Sequence, residues 1–312
     1  MGEILDDVAE ALGEQARILT AERNLGLVPA INRGLHSSAA DYAVILQPQV
    51  QVSPGWLDAL LEVAHLPDVG VVSPVFRGSE QSFLPRPEPG CSRMETFTVS
   101  LAALMLKGDL QRSLGGFDES LDGGEWCLRD FLRRAGHAGY HCCVTATPEL
   151  SSGKATLFGS PERRSESARL SRESYLSRWG VRRHYCIYFG REQGMDTIDA
   201  VMETILAGAR CGHRYTLLLH HGQARQFRKL GLSGLHTGIA LHSLPLIGAG
   251  RAVSRLAAAF RETDPDTVLV CSSAEPCFPG GAAAIPLNEL GASGTDSLRV
   301  SSVFHNIHQE GP

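Results

Sequence analysis

The sequence predicts an α/β protein built in two lobes, residues 1–180 and 181–312. Three observations carry that expectation. Short apolar runs such as Tyr42-Ala43-Val44-Ile45-Leu46 and Tyr215-Thr216-Leu217-Leu218-Leu219 have the length of buried strands. They alternate with segments whose apolar residues recur every three or four positions, the spacing of one helical face. The chain has 312 residues, 43% hydrophobic and 20% charged, enough for two globular domains of ordinary size.

Charge and composition exclude several function classes. The formal net charge is -5, and no basic stripe stands out, so a nucleic-acid partner is not expected. The densest basic run, Arg163-Arg164 through Arg169 and Arg172, is broken by Glu162, Glu166 and Glu173. It reads as a solvated helix face, compatible with a peripheral place at the inner face of a membrane. No apolar run approaches the roughly 20 residues of a transmembrane helix. The acidic start Met1-Gly2-Glu3-Ile4-Leu5-Asp6-Asp7 lacks the features of a signal peptide. The eight cysteines form no C-x-x-C pair and sit mostly in apolar runs, which predicts reduced, buried thiols and a cytoplasmic protein.

In the first lobe a helix is expected over 5–14 and a short strand over 17–20. Asn24-Leu25-Gly26 is a turn opening a helix to about Leu35, followed by a strand at 41–46. Ser53 is expected to cap a helix with Pro54 at its first position, running to about His65. A strand at 67–74, a Pro-, Gly- and Ser-rich loop at 76–93 and strand-like sequence at 96–107 come next. After a short helix to Gly115, an amphipathic helix runs from Trp126 to Gly136, then a strand at 140–144 and a basic helix at 161–179.

Gly180 to Arg183 marks the boundary. The second lobe is expected to hold strands at 184–189, 212–219, 264–272 and 299–305, with helices at 196–210 and 251–263. Such alternation argues for parallel pairing in a Rossmann-like sheet. Gly190 and Gly194 do not complete a G-x-G-x-x-G, so a dinucleotide site gains little support. His305 and His308 have ligand spacing but no acidic third ligand, and read as a strand end.

The densest chemistry lies between Gly115 and Arg129. Gly115 and Gly116 permit a tight turn, and Asp118, Glu119, Asp122 and Glu125 then cluster before Trp126-Cys127-Leu128-Arg129. One reading is capping, because acids are favoured at a helix N-terminus. The other is a carboxylate site in which one acid serves as general base.

This stretch resembles the G-G-F-D-E…E-D-x-D-L-x-x-R segment of family 2 glycosyltransferases, which have the GT-A fold. Three more stretches share the likeness. Asn24, Leu25, Gly26, Ala30, Asn32 and Gly34 match the N-L-G-x-x-x-A-x-N-x-G opening of the family's donor-side helix. Asp41 to Leu57 follows its D-Y-x-x-x-L-N-P-D…W-L segment, and Arg178-Trp179-Gly180 its closing K-W-G. The resemblance implies a nucleotide-diphospho-sugar transferase domain over about 5–180, N-terminally truncated in that its first strands are missing. It assigns Asn24, Gly26, Asn32, Gln47 and Gln49 to donor binding, and Gly116, Asp118, Trp126 and Arg129 to the acceptor side or the scaffold.

The same comparison finds the catalytic positions degenerate. The base position falls on Gly123, leaving Asp122 or Glu125 as the candidate base. The family's metal-holding aspartate, which would bind Mg²⁺ or Mn²⁺, is Gln49, an amide that brings no charge. The family's H-x-x-G histidine is Leu150. The second lobe resembles the N-terminal, acceptor-binding half of a family 4, GT-B-fold glycosyltransferase. Its cues are Ala209 to Leu218, Asp264 to Ser272 and a histidine at 308.

The implied partners are a nucleotide-sugar donor, a polysaccharide or lipid-linked acceptor, and other glycosyltransferase chains covering the open sheet edge. Two functions are thus expected to compete. One is sugar transfer with Asp122 or Glu125 as base. The other is a non-catalytic pseudo-glycosyltransferase acting as a binding or interaction module.

Overall fold

The computed structural model describes residues 17–78, 84–154, 160–272 and 278–290, with Asp7, Glu10, Ala11 and Gly13. The expected strand at 299–305, His305, His308, Cys277 and most of the expected helix at 5–14 lie outside the described residues.

The first lobe is a mixed sheet with helices on both faces. Helix α1 (Leu27–His36) precedes strands β1 (Tyr42–Leu46) and β2 (Val50–Gln51). Helix α2 (Trp56–Ala64) leads to β3 (Val69–Arg77), β4 (Arg93–Glu95) and β5 (Ala103–Lys107). Helices α3 (Gly108–Leu114) and α4 (Trp126–His137) flank a 3-10 turn at Glu119–Leu121. Strand β6 (His141–Ser152) and helix α5 (Pro161–Trp179) complete the lobe.

The strand order is β1-β5-β3-β6-β2, with β4 also pairing β6. β3 and β6 run parallel, and the other pairs are antiparallel. Side-chain alternation on the strands sorts residues to the two faces. Ala43 and Ile45 of β1, with Leu104 and Leu106 of β5, pack against α1 and α4. Tyr42, Val44 and Met105 pack against α2 on the other side.

Among the described residues the second lobe has five strands, all parallel. They are β7 (His184–Tyr188), β8 (Arg214–His220), β9 (Ile239–Leu244), β10 (Val268–Cys271) and the two-residue β11 (Ile285–Pro286). Helices α6 (Met195–Arg210), α7 (His221–Lys229) and α8 (Ala249–Thr263) join them. The order β11-β10-β7-β8-β9 is that of a doubly wound α/β sheet, with its switch point between β7 and β10. Tyr185, Ile187, Leu217 and Val270 face α6 and α7, whereas Cys186, Leu218 and Leu269 face α8. Burial on both faces explains the near-continuous apolar runs.

Several expected elements move. Residues 17–20 form no strand among the described residues; they are exposed and unpaired in any sheet. Strand β3 continues through Arg77 because it keeps pairing with β6 as far as Ser151, so the loop expected at 76–93 begins later and ends in β4. β6 likewise runs eight residues past the expected end at 144, to Ser152. Of the expected strand at 96–107 only 103–107 pairs. Helix α2 starts beyond Ser53 and Pro54, with Gly55 as N-cap and the Ser53 carbonyl accepting the Trp56 N–H. Helix α4 runs through Gly136 to His137. Helix α7 and strand β9 have no counterpart in the sequence reading. Among the described residues five of the seven cysteines are buried.

The lobes meet where β4 runs beside the segment before β9, and where α4 reaches the turn before β8. The Glu95 N–H donates to the Leu235 carbonyl at 3.0 Å, and the Thr237 N–H to the Glu95 carbonyl at 2.8 Å. Arg210 of α6 grips both Glu95 carboxylate oxygens at 2.6 Å. Arg133 of α4 donates to the carbonyls of Cys211 and Trp179 at 2.9 and 3.0 Å.

Candidate functional site

Asn24, Gly26, Asn32, Gly116 and Asp122 gather around α1. Gly26 is its N-cap, at a positive φ of 95° that favours glycine. Gly26 has no side chain to cap the helix. Asp122 supplies that function from 94 residues away, accepting the Val28 N–H at 3.0 Å. A Cβ on Gly26 would collide with this carboxylate. Asn24 closes the preceding turn by accepting the Gly26 N–H at 3.0 Å.

Asn32, two turns into α1, is buried and fully engaged. Its amide nitrogen donates to the Phe117 carbonyl at 2.8 Å and to Glu119 at 3.0 Å, and its oxygen accepts the Phe117 N–H at 2.8 Å. Gly116 is pressed against this amide, with no room for a Cβ. Asn32 and Gly116 therefore clamp α1 to the acidic loop.

The acids of that loop have distinct surroundings. Asp118 caps the 3-10 turn through the Ser120 N–H and pairs with Arg178 at 2.9 Å. Its partial burial works against ionisation, but the bonds from Ser120 and Arg178 outweigh that and hold its pKa low. Asp122 is half-buried. Burial raises its pKa, the Val28 N–H opposes, and the Glu119 charge adds to the rise. Glu125 precedes α4 without capping it and pairs instead with Arg129 at 3.1 Å on the surface. Arg129 also lies over the Trp126 ring, 4.6 Å from its centroid, and Trp126 packs on buried Tyr175.

Gly123 occupies the base position of the family pattern, and the fold closes it. Its N–H donates to Ser171 at 3.0 Å, and a Cβ would overlap the backbone carbonyl of Ser167 in α5. Gly123→Asp is therefore expected to create no base. It should cost about 1–3 kcal/mol through overpacking, read as a lower thermal midpoint with no gain in sugar transfer. A midpoint equal to that of the parent would contradict the packing argument.

Gln47 and Gln49 leave the end of β1 as an amide pair, Gln49 donating to Gln47 at 2.5 Å. That bond takes one of the two lone pairs of the Gln47 oxygen. Among the described residues no three His, Cys, Asp or Glu side chains come together as a metal group. This neutral donor set does not fit a divalent cation, which wants carboxylate oxygens. Among the described residues no hydrogen bond joins the Gln47–Gln49 pair to the Asp122 group. An open cleft of about 530 Å³ lies between the 3-10 turn and α5, lined by Ser120, Glu162, Arg163 and Leu170 among others. It opens beside Gly123 and not over Asp122 or the two glutamines.

The sequence reading missed the partners that organise the loop. Asp130 is fully buried and accepts from Arg134, Arg178 and Trp179 at 2.7–2.9 Å. Arg178-Trp179 stands out in the sequence as a motif, but nothing local tells that Asp130 is its partner. Ser167 and Ser171, which shut the base position, carry no sequence signal at all.

No curated protein matches the chain. Among solved structures, it is similar to glucosyl-3-phosphoglycerate synthase from Mycobacterium tuberculosis in complex with phosphoglyceric acid. That likeness has 20% identity and a TM-score of 0.36, covering 56% of this chain and 65% of that one. The same synthase in complex with uridine-diphosphate gives 19% identity and a TM-score of 0.35, covering 55% of this chain and 64% of that one. The chain thus spans less than two thirds of the length of both. Residues 1–114, from the N-terminus through α1 and the Gln47–Gln49 pair to the end of α3, match the family model "Glycosyl transferase family 2".

Proposed function

We propose that the first lobe transfers a sugar from a nucleotide-sugar donor to a glycan or lipid-linked acceptor, with Asp122 as proton acceptor. The observation that carries this reading is the placement of Asp122. It is a half-buried carboxylate of raised pKa, hinged to the N-terminus of α1 through one oxygen. Its second oxygen lies beside Gly26. The family match of residues 1–114 supports the reaction class, although Asp122 itself lies beyond the matched residues. In the step proposed, the acceptor hydroxyl attacks the anomeric carbon and its proton passes to Asp122. The bond to the donor phosphate breaks and the nucleoside diphosphate leaves. A raised pKa makes this carboxylate a stronger base than an exposed aspartate, which favours proton transfer to it. No step is routed through a cation, since Gln47 and Gln49 do not fit one.

A second reading is favoured by the closed base position. With Gly123 shut against Ser167 and Asp122 bound to Val28, the lobe would act as a binding or interaction module without transfer chemistry.

Asp122→Asn separates the two, because asparagine keeps an acceptor for the Val28 N–H and so preserves the cap. Transfer from UDP-, GDP- or TDP-sugars should fall roughly 10²–10⁴-fold with the unfolding midpoint retained. Undiminished transfer in the variant would remove Asp122 from the chemistry. A folded parent that transfers from none of these donors would leave the module reading.

A further inference from the structure

The chemistry outside the first lobe concentrates at the carboxyl ends of β7, β8 and β9. In open parallel α/β sheets ligands bind outside the carboxyl ends of the strands, at the switch point, and the loop that carries Arg191 leaves β7 on one side of it. A cleft of about 240 Å³ lies there, lined by Arg191, His220, His221, Gln223, Pro245 and Leu246. Its floor is ordered by hydrogen bonds. Buried Gln223 donates to the carbonyls of Gly190 and Gln193 at 2.9 and 2.8 Å, fixing the loop that carries Arg191. The Gly190 N–H donates to Ser272 at 3.1 Å. Tyr188, at the end of β7, meets His220 Nε2 at 3.3 Å.

Polar and apolar groups divide the rim. Arg191 and His221 are exposed, and Arg191 makes no ion pair among the described residues. Glu192 also faces His220, so the local charge is not purely positive. Across the cleft the loop after β9 presents Leu246 and Ile247, 71% and 91% exposed. Two adjacent aliphatic side chains held this far into water gain nothing for the fold, and burial against a partner would recover their transfer free energy.

We propose that this edge binds a phospholipid surface. The headgroup phosphate is held by Arg191 and His221, and Leu246 and Ile247 enter the acyl boundary. Arg191 supplies the planar fork that matches a phosphate, and the apolar pair supplies the area on which interfacial binding depends. The site is separate from Asp122 and stands whether or not the first lobe transfers sugar.

The test uses the full chain and sedimentation with vesicles of phosphatidylcholine alone or mixed equally with phosphatidylglycerol. Binding to the mixed vesicles is expected. Arg191→Gln should weaken it roughly fivefold, one cationic contact with an anionic surface. Leu246→Ser with Ile247→Ser should weaken it by about tenfold or more. All these side chains are exposed, so the urea midpoint should not move, and that is measured alongside. No vesicle binding, or binding unchanged in both variants, overturns the proposal. Calorimetric titration with inorganic phosphate gives the other arm. Phosphate binding that depends on Arg191, without vesicle binding, would assign the cleft to a free phosphate and overturn the lipid reading.

Discussion

Arg210→Ala is expected to lower the unfolding free energy by about 3–5 kcal/mol, the cost of leaving a buried carboxylate without its partner. The carboxylate is Glu95, whose side chain is 17% exposed and which Arg210 holds through two 2.6 Å bonds. Burial pushes the Glu95 pKa up, but the Arg210 bonds and charge more than reverse that and keep it ionised. Without Arg210 the remaining close partner is His141, 3.4 Å away, itself pushed toward the neutral form mainly by burial. Replacing both partners with methionine should recover most of the loss, because no charge is then stranded. Urea unfolding of the single and double variants measures this. A single variant within about 1 kcal/mol of the parent would mean the pair is open to solvent. Since the pair joins β4 to α6, its loss should also split one unfolding transition into two.

The second large effect is acid lability of the same seam. His236 is 1% exposed and His213 is 7% exposed. Burial, the leading cause for both, lowers each pKa to about 4. Around His236 lie Glu95, which opposes the shift, and Arg210 and His141, which add to it. Around His213 lie Arg133, Arg183 and Arg182, all acting to keep it neutral. His236 Nδ1 accepts the Gly238 N–H at 2.8 Å, so the neutral ring carries its proton on Nε2 and a second proton, on Nδ1, would break that bond.

The sign follows from proton counts. Between pH 6.5 and 4 the unfolded chain holds these protons and the native one does not, so acid favours unfolding. The stability is present above pH 6.5 and lost as pH falls toward 4. Each histidine contributes roughly 3 kcal/mol over that window, and together they approach the whole stability of a small domain. The urea midpoint should therefore drop steeply between pH 7 and 4.5. His236→Asn and His213→Asn keep an acceptor for the Gly238 and Arg183 N–H groups and should flatten that slope. An unchanged slope in both would place the acid sensitivity elsewhere.

Much of the architecture was legible in the sequence because its signals are local. The β7, β8 and β10 runs, alternating with the helices at 195–210 and 249–263, gave the parallel second sheet. Asn24 to Gly34 gave the turn and the start of α1. Helix α7 and β9 escaped because α7 is short and polar and β9 is exposed at alternate positions on the sheet edge. The candidate site was legible as a set of residues but not as a set of roles. The acids before α4 looked like caps for that helix, yet Asp122 caps α1 and Glu125 caps nothing.

The sequence by itself determined most of the elements and the buried thiols, since periodicity, turn chemistry and residue identity are properties of neighbours along the chain. Tertiary structure alone decided that Asp122 meets Val28 across 94 residues, that α5 closes on Gly123, and that Glu95 and Arg210 join the lobes across 115. Such contacts depend on which faces pack together, and a side chain's partner across a packed interface leaves no periodic mark in the sequence.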